Sequence, residues 1–583
     1  LKNGLRVITE KVDGVNSISV GVMIQNGSRN ETPEVNGISH FIEHMFFKGT
    51  DKRTAKEIAE SIENIGGQIN AFTSKEATCY YVKNLYTHLD LSLEVLSDMI
   101  LNSKFDGDEI EREKGVVIEE INMSEDNPED VLEDLHSKAC FDNNSLAYPI
   151  LGTIDKVKSF TRDKIKNFIK EKYTPYNTVI SICGKFDERE VETLVEQYFG
   201  GWKSDNIYVP TYGETLVQLN SMTATKEIEQ LHVSLGLKGL PFGHDKGYGL
   251  VLLSNIFGGG ASSILFQRVR EQLGLCYSIY CYPQPYQGAG VLNIYAGLGK
   301  NYGEKALDAI KHELNRFVKE GISKDLLDVN KEKIKANYIL GLESTSSRMF
   351  SNAKSVLFKN RVTTQEEVIE KVDRINMDDI DFVLKECFGS GVLNTSYVGQ
   401  NVESDKLNSI ILDSDKAYNN KNNSGNTPLH QACYNNQSEV VRELLKQDGI
   451  ELNTVNDNGN TPLIIAAIQS NLLIVQLLLK AGADAKQRLL NGNTALHFAA
   501  ENGNQYIGKA LLEAGAEIDG QNEMGETALL IAAMEGYNDF VKLLVENGAN
   551  VNLVDNSQNS PLFYASEKGY TEIVEILLLA GAE

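Results

Sequence analysis

Two histidines and a glutamate crowd into one apolar segment near the start of the chain, GISHFIEHMFFKGT, residues 37–50. If this segment is helical, His40, Glu43 and His44 stand at i, i+3 and i+4 and project from one face. A polar group buried without a partner costs roughly 2–7 kcal/mol, so a common partner is needed to hold the three side chains. Two imidazoles on one face can bind one metal ion, and zinc favours such nitrogen ligands. The segment therefore predicts a metal site.

A catalytic zinc site takes one more protein ligand and keeps a position for water, so a carboxylate from another element is expected. The acidic segment EIEREKGVVIEEINMSED, residues 109–126, is the candidate donor. Glu113 and Glu120 are seven residues apart, or two helical turns, and share one face, from which Glu119 is turned by about 100°. Glutamates on a helix usually face water. Four apolar side chains nevertheless predict a largely buried helix: Val116, Val117, Ile118 and Ile121.

Residues 1–416 alternate predicted strands and helices without a short repeat. SISVGVMIQNGS and TVISICG alternate apolar and polar residues as half-buried strands do, whereas TAKEIAESIENIG and EREVETLVEQYF carry helical spacing. INAFTSKEATCYYVKNL reads as strand, and the long segment of residues 324–358 is expected to be helical. Similar elements recur after a predicted linker, residues 204–218. The sequence predicts an α+β fold of two homologous αβ rolls, residues 1–203 and 219–416, mostly antiparallel with helices on one face of each sheet.

The C-terminal part repeats itself every 33 or 34 residues. NTPLHQAC at residue 426 is followed by NTPLIIAA at 460, NTALHFAA at 493, ETALLIAA at 526 and NSPLFYAS at 559. Each unit reads as a turn, a short helix with a Thr or Ser cap, a second apolar helix and a closing Gly. The pattern resembles the ankyrin repeat and implies five repeats over residues 426–583, an all-α solenoid whose concave surface binds a protein partner. His430 and His497 are expected to form hydrogen bonds within their repeats.

The formal charge of −25 argues against a nucleic-acid binder, because phosphate recognition needs a basic surface, and it favours cationic substrates or partners. Residues 424–583 hold 20 Asp and Glu against 8 Lys and Arg, while residues 1–423 hold 61 against 48. The Asn-rich residues 417–425 predict a linker between these parts. No apolar run approaches the length of a membrane span, about 18 residues. Seven cysteines without a CxxC pair predict reduced thiols and a cytoplasmic location.

One pair of motifs points to a known family. HxxEH at residues 40–44, followed about 75 residues later by EKGVVIEE, resembles the inverted-motif zinc peptidases: pitrilysin, insulin-degrading enzyme and mitochondrial processing peptidase. The resemblance covers residues 1–415 and points to bacterial members of the processing-peptidase branch. It implies one zinc ion per chain. Carried over residue by residue, it implies zinc ligands His40, His44 and Glu120, a general base Glu43, and a carboxylate Glu113 that orients a ligand.

The second half supplies candidates for stabilising the oxyanion that forms when water attacks a peptide carbonyl. FQRVREQLGLCYSIY, residues 266–280, resembles the family's Arg and Tyr pair. Arg270 and Tyr277 match best, and Arg268 is the alternative register. Taken alone, an Arg before a Gly turn is more often a surface charge.

Three further stretches supply substrate-binding candidates. INAFTSKEATCYY resembles the family's edge strand, to which a substrate strand adds, and FGGG at residues 257–260 resembles its glycine-rich loop. An ordinary strand and a plain turn are the alternatives. Two acids at i and i+4 resemble residues that recognise an arginine near the cleavage site, but acids in a first helical turn also favour the helix dipole. The residues so implied are Asn70, Ala71, Phe72, Thr73, Asp130, Asp134, Gly258, Gly259 and Gly260.

Two functions remain open from the sequence. The first is a zinc-dependent endopeptidase that hydrolyses unfolded peptides or presequence-like segments. Because the family closes its chamber with four αβ units and this chain has two, the resemblance also implies a homodimer. The second is a non-catalytic scaffold that binds protein partners through its repeats. Non-catalytic relatives lose a metal ligand or the base, whereas this chain retains all four groups, which favours the enzyme and leaves the repeats to recruit or regulate it.

Overall fold

The computed structural model describes residues 1–142, 144–412, 419, 421, 424–447 and 449–583. The chain divides into two compact units, Leu1–Leu412 and Asp413–Glu583. Of the linker expected over residues 417–425, residues 417, 418, 420, 422 and 423 lie outside the described residues.

The first unit holds two five-stranded sheets of the same topology. The strands of the first sheet are β1 (Arg6–Lys11), β2 (Ser17–Ile24), β3 (Gln68–Thr73), β4 (Thr78–Leu85) and β5 (Thr178–Gly184). Those of the second are β6 (Asn220–Thr225), β7 (Gln230–Lys238), β8 (Cys276–Tyr286), β9 (Ala289–Gly299) and β10 (Asn394–Gly399). The orders are β1-β5-β2-β4-β3 and β6-β10-β7-β9-β8, with only β1–β5 and β6–β10 parallel. The prediction of two homologous αβ rolls is confirmed.

Helices pack on both sheets and enclose one apolar core in each half. In the first half they are α1 (Ile38–Met45), α2 (Ala55–Glu63), α3 (Leu89–Asn102), α4 (Gly107–Asp126), α5 (Pro128–Phe141), α6 (Ile154–Lys158), α7 (Arg162–Lys172) and α8 (Glu188–Phe199). In the second half they are α9 (Gly247–Gly258), α10 (Gly303–Glu320), α11 (Lys324–Gly341), α12 (Thr345–Lys359), α13 (Gln365–Asp373), α14 (Met377–Glu386) and α15 (Ser404–Ile411). None of the helices that the structure describes is both long and apolar enough to cross a bilayer.

The segment expected to be helical over residues 324–358 is helical, but it is divided into two helices, α11 and α12. The chain leaves the helical path between α11 and α12, and α12 starts anew at Thr345. Ser344 caps it by accepting a hydrogen bond from the backbone N–H of Ser347 at 3.0 Å. A serine that caps a new helix offers its backbone an alternative to continuing the old one.

Each half contributes one helix to the sheet of the other. Helix α12 packs on β1, β2 and β5, where Ser181 Oγ donates a 2.8 Å hydrogen bond to the carbonyl oxygen of Met349. Helix α5 packs on β6, β7 and β10, and His136 Nε2 lies 2.8 Å from Asn293 Oδ1. The expectation of helices on one face of each sheet was therefore incomplete, because a helix from the other half covers the second face.

The second unit consists of helix pairs, as the repeat pattern predicts. The first helices of the five repeats are Pro428–Tyr434, Pro462–Ile468, Ala495–Glu501, Ala528–Glu535 and Pro561–Glu567. The second helices are Ser438–Leu444, Leu472–Ala481, Gln505–Glu513, Asn538–Glu546 and Thr571–Leu579. First helices contact first helices of neighbouring repeats, and second helices contact second helices. The repeats therefore stack into a solenoid with two helical rows.

The two histidines of the repeats have the hydrogen-bonding role that the sequence predicts. His430 Nδ1 lies 2.8 Å from Thr427 Oγ1, and His430 Nε2 lies 3.0 Å from the carbonyl oxygen of Asn460 in the next repeat. His497 makes the matching contacts with Thr494 and Glu526. Burial lowers the pKa of His430 to about 4, so its ring is neutral and can both donate and accept. Each histidine thus ties its own helix cap to the following repeat.

Replacing Met349 by Ala tests the packing of α12 on the first sheet. Met349 is fully buried and its sulfur lies over Gly21, so the truncation should lower the free energy of unfolding of the first unit by about 2–5 kcal/mol. The single tryptophan, Trp202, lies in the first-half core, so its fluorescence during urea denaturation follows this unit. Leu340→Ala on the exposed side of α11 is the control, expected within about 0.5 kcal/mol of the parent. Equal effects of the two changes would contradict this packing.

Candidate active site

Helix α1 carries the two histidines and starts at a tightly packed turn. Gly37, just before it, has φ 93°, and a Cβ there would lie 2.6 Å from the carbonyl oxygen of Leu151. The buried carboxylate of Glu31 accepts hydrogen bonds from the backbone N–H groups of Gly37, at 2.8 Å, and Ser39, at 2.9 Å. These bonds satisfy donors that the first turn of a helix leaves unpaired. Glu31 has no sequence signal, since nothing in its spacing separates it from a surface acid.

The side chains of His40, His44 and Glu120 converge between α1 and α4. Glu120 Oε2 lies 3.6 Å from His40 Nε2 and 3.4 Å from His44 Nε2. One potential ligand atom of each residue lies within 4.8 Å of the other two, and in the part of the chain that the structure describes no other group of three His, Cys, Asp or Glu is so arranged. Two imidazole nitrogens and one carboxylate oxygen form a donor set of catalytic zinc sites. The residues therefore fit the metal that the sequence predicts.

The charges around the two imidazoles favour a cation at this position. Burial, together with nearby His44, lowers the pKa of His40 to about 4, so its imidazole is neutral and offers a lone pair. Burial also opposes protonation of His44, but hydrogen bonds and attraction from Glu113 and Glu120 outweigh it and raise the pKa of His44 to about 9. Two carboxylates beside one imidazole create a negative environment that a divalent cation neutralises.

Glu113 fixes the orientation of the His44 ring from the buried side of α4. Its Oε1 lies 2.8 Å from His44 Nδ1 and its Oε2 lies 2.9 Å from Lys48 Nζ. With Nδ1 engaged, His44 turns Nε2 toward Glu120. Lys48 follows His44 by four residues and lies just beyond the end of α1, and its spacing from His44 is the only signal that the sequence gives for it. The expected burial of α4 holds at Val117 and Ile121, is partial at Ile118 and fails at Val116, which is exposed.

Glu43 projects beside the cluster and is held by the edge strand β3. Thr73 Oγ1 donates a 2.5 Å hydrogen bond to Glu43 Oε2, and burial raises the pKa of the Glu43 carboxyl. Strand β3 pairs only with β4, so its other edge has no strand beside it within the first sheet. The structure thus brings the strand formed by Asn70, Ala71, Phe72 and Thr73 next to the carboxylate that the sequence singles out as a base.

Arg270 and Arg268 lie in a π-helical segment, Phe266–Gln272, and take different surroundings. The Arg270 guanidinium lies 4.5 Å from the centre of the Phe266 ring and 5.6 Å from that of Tyr277, which is exposed. Arg268 instead reaches the buried carboxylate of Glu313, with Nε 3.7 Å from Oε1. The structure therefore groups Arg270 with Tyr277 and turns Arg268 toward α10. In the described part of the chain, neither Arg270 nor Tyr277 forms a hydrogen bond or ion pair with the α1–α4 cluster.

The three glycines of the FGGG stretch are not equivalent. Gly258 ends α9, and a Cβ there would lie 2.5 Å from the backbone nitrogen of Cys281 in β8. A Cβ on Gly259 would lie 2.5 Å from Cα of Asn255, whereas one on Gly260 meets nothing within 4 Å. The first two glycines are thus explained by close helix packing. Gly260 alone borders open space.

The acids predicted to recognise arginine lie on α5, which Asn127 caps by accepting a hydrogen bond from the N–H of Glu129. Desolvation by the surrounding protein raises the pKa of Asp134 to about 6. The positive charge of Lys75 opposes this rise, and the negative charges of Glu133 and Asp130 add to it. Glu129, on the same helix, accepts a 3.1 Å hydrogen bond from the hydroxyl of Tyr295 in the second sheet. The acids of α5 therefore face both halves: Asp134 lies near Lys75 of the first half, and Glu129, which the sequence does not single out, bonds Tyr295 of the second half.

Comparison with known proteins decides the family. Residues 6–154 match the insulinase family, peptidase family M16, and residues 159–334 match the peptidase M16 inactive domain. An uncharacterized zinc protease of Bacillus subtilis (strain 168), YmxG, is 43% identical over 391 residues, which cover 66% of this chain and 94% of that protein. The chain belongs to peptidase family M16. Its C-terminal part matches ankyrin repeats over residues 397–489, 448–522 and 496–583.

Other members of the family are similar over the same part of the chain. An uncharacterized zinc protease of Rickettsia felis is 33% identical over 407 residues, 69% of this chain and 97% of that protein. Among solved structures, a protease from Helicobacter pylori superposes with a TM-score of 0.65 at 26% identity, over 68% of this chain and 98% of its own. A peptidase M16 inactive domain from Pseudomonas fluorescens, 16% identical with a TM-score of 0.64, shares the fold over 69% of this chain and 97% of its own.

Replacing Glu113 by Ala tests the orienting contact with His44. We expect a 10- to 100-fold loss of zinc affinity, the usual effect of removing a partner that orients a metal ligand, measured by competition with a chromogenic chelator. Glu119→Ala is the matched control, since Glu119 is an exposed glutamate on the same helix. Its zinc affinity should equal that of the parent. Equal losses in both variants would show that charge alone, and not the contact, sets the affinity.

Proposed function

We propose that the first unit is a zinc-dependent endopeptidase of family M16. The observation that carries the proposal is the convergence of His40, His44 and Glu120 within 4.8 Å, with the carboxyl of Glu43 beside them. Relatives that carry the name zinc protease support the same activity.

In this proposal His40, His44 and Glu120 would hold the zinc ion, which would supply Lewis acidity to the hydrolysis near neutral pH. Glu43 accepts the proton of the attacking water and returns it to the leaving amine. The hydrogen bond from Thr73 keeps one oxygen of Glu43 fixed, so the other oxygen is left to handle the proton. Arg270 and Tyr277 donate hydrogen bonds to the oxyanion that develops on the peptide carbonyl.

The substrate is an extended, unfolded peptide in this proposal. An edge strand offers unpaired backbone N–H and C=O groups, to which a peptide in β conformation can add. The backbone of residues Asn70–Thr73 would bind it, and the bond from Thr73 to Glu43 sets the distance from strand to base. The acidic residues on α5, Asp130 and Asp134 among them, suit basic side chains of presequence-like segments. Gly260 leaves room for a passing backbone.

The assembly and location are proposed from the family. Because peptidases of this fold enclose their substrate with four αβ units and this chain supplies two, we propose a homodimer. The relatives reported above are bacterial, and all seven cysteines are free thiols, as expected in a bacterial cytoplasm. The ankyrin repeats would bind a protein partner that recruits or regulates the enzyme.

A second candidate function is that of a non-catalytic scaffold that acts through its repeats. The observation in its favour is the size of the repeat unit, which carries no metal cluster among its described residues. The intact set of His40, Glu43, His44 and Glu120 speaks for the enzyme.

Two substitutions separate metal binding from proton transfer. Glu43→Gln should keep zinc in full stoichiometry and lower the cleavage rate of an unfolded fluorogenic peptide by about 10²–10⁴, the share of a general base. Glu120→Gln should lower zinc affinity, because a ligand is lost, and Glu119→Gln should change neither quantity. Zinc content by mass spectrometry and peptide turnover are measured on the same preparations. Undiminished cleavage by Glu43→Gln would refute this mechanism.

Substituting each arginine of the π-helical segment decides between the two registers. Arg270→Ala should lower kcat by about 10²–10³, the range for losing one oxyanion donor, with zinc content unchanged. Arg268→Ala should leave kcat near the parent value, because Arg268 pairs with Glu313 and Arg316 remains there as a second partner. The opposite result would assign the oxyanion role to Arg268.

A further inference from the structure

The loops that precede the first helices of the ankyrin repeats form a rigid edge. The backbone N–H of Glu523 donates to the carbonyl oxygen of Asn491, and that of Asn556 donates to the carbonyl oxygen of Met524, both at 2.9 Å. These bonds join the loop tips of three successive repeats. Side chains on the tips are therefore presented at fixed positions, so a ligand that binds them meets a preorganised surface.

Large apolar side chains are exposed along this edge. Leu490 is 90% exposed and Met524 65% exposed, on two tips joined by one of these hydrogen bonds. The first helices of the repeats continue the surface away from the tips: Ile468 is exposed at the end of its helix, and Phe498 and Met534 are partly exposed. Exposed apolar side chains on adjoining tips, as at Leu490 and Met524, are typical of a binding site. We call these five residues, together with the acids Asp457, Glu501, Glu523, Glu535 and Glu567, the tip surface.

Three carboxylates of the tip surface do not stabilise the helices that carry them. Glu501, Glu535 and Glu567 are the last residues of three successive first helices. Negative charge at a helix C-terminus opposes the helix dipole, so these acids act against the stability of their own helices. By contrast, acids at the starts of second helices, such as Glu439 and Asp539, favour the dipole. Three successive acids at unfavourable helix ends indicate a cationic ligand.

The basic side chains near these acids make other contacts and do not pair with them. Arg488 pairs with Glu517 at 2.5 Å, and Lys568 Nζ donates to the carbonyl oxygen of Met534 at 2.7 Å. Glu501, Glu535 and Glu567 form no ion pair with a described residue. Asp457 and Glu523 add two exposed acids on the tips. The surface therefore combines apolar anchors with a net negative charge.

We propose that the tip surface binds a polypeptide segment of a partner protein in which Lys or Arg residues alternate with apolar ones. The charges argue for this occupant over the others: the repeat unit, residues 424–583, carries net −12, and the acids of the tip surface attract Lys and Arg but repel the phosphates of a nucleic acid and the same acids on a second copy. The inference deepens the recruiting role proposed for the repeats and does not depend on catalysis.

The test selects peptides from a random 12-residue phage library on the full chain carrying Glu43→Gln, which prevents digestion. Phage are first depleted on the same chain with Leu490→Ser and Met524→Ser, so that peptides bound elsewhere, including at the zinc site, are removed. We expect the retained peptides to be rich in Lys or Arg and in apolar residues. Peptides without basic residues, or none retained, would overturn the proposal.

Affinities of a retained peptide, measured by fluorescence anisotropy, then locate its site. Leu490→Ser with Met524→Ser should weaken binding roughly tenfold or more, as loss of central anchors does, and so should Glu501→Gln with Glu535→Gln and Glu567→Gln. The matched control is Leu473→Ser with Tyr506→Ser, because these residues are 45% and 66% exposed on the second helices. Binding lost only in the control pair would overturn the proposal.

Two further readouts keep the result separate from misfolding and from the proposed enzyme. The three Glu→Gln changes remove charges that oppose helix dipoles, so the thermal unfolding of the repeats should not shift to lower temperature. If this variant binds the peptide more weakly and its repeats are as stable as the parent's or more so, the carboxylates contribute to binding. If it binds more weakly and its repeats are less stable, the result contradicts a binding role for these carboxylates. Since every measurement is of binding, failure of peptide cleavage would leave this result intact, and failure here would leave the peptidase proposal intact.

Discussion

The imidazole of His44 lies between two carboxylates, and the rest of the first unit serves to keep it there. Glu113 engages Nδ1 and Glu120 faces Nε2, so the ring is fixed from both sides by a single helix, α4. The helix that carries the ring is fixed in turn by Glu31 at its start. Both carboxylates come from positions seven residues apart, two turns of α4, so the separation of α1 and α4 determines whether all groups can meet one ion.

The exchange of helices between the halves maintains that separation. Helix α5 follows α4 directly and packs on the second sheet, while α12 of the second half packs on the first sheet. Neither half can then shift without disturbing a buried contact of the other, such as the bond from Ser181 to the backbone of Met349. The second half, whose residues up to 334 match the peptidase M16 inactive domain, therefore supports the candidate site, and none of its described residues belongs to the cluster of His40, His44 and Glu120.

Local periodicity determined what could be predicted from the sequence. The faces of α1 and α4 follow from helical spacing, and the repeat unit follows from a period of 33 or 34 residues, so both were accessible without a structure. Contacts between distant segments were not: Glu31 reaches the start of α1 through a loop, and α12 packs on the sheet of the other half. Strand β8 has no clear signal in the sequence, because its tyrosines and prolines give no regular alternation of apolar and polar residues.

The open edge of β3 has a consequence for the behaviour of the protein in concentrated solution. A strand without a neighbour on one side can pair with the same strand of another molecule as readily as with a peptide, which is the first step of aggregation. Charge opposes this, because a chain of net −25 repels its own copies over the Debye length. Added salt shortens the Debye length and weakens this repulsion. At high ionic strength the exposed edge of β3 therefore favours association between molecules.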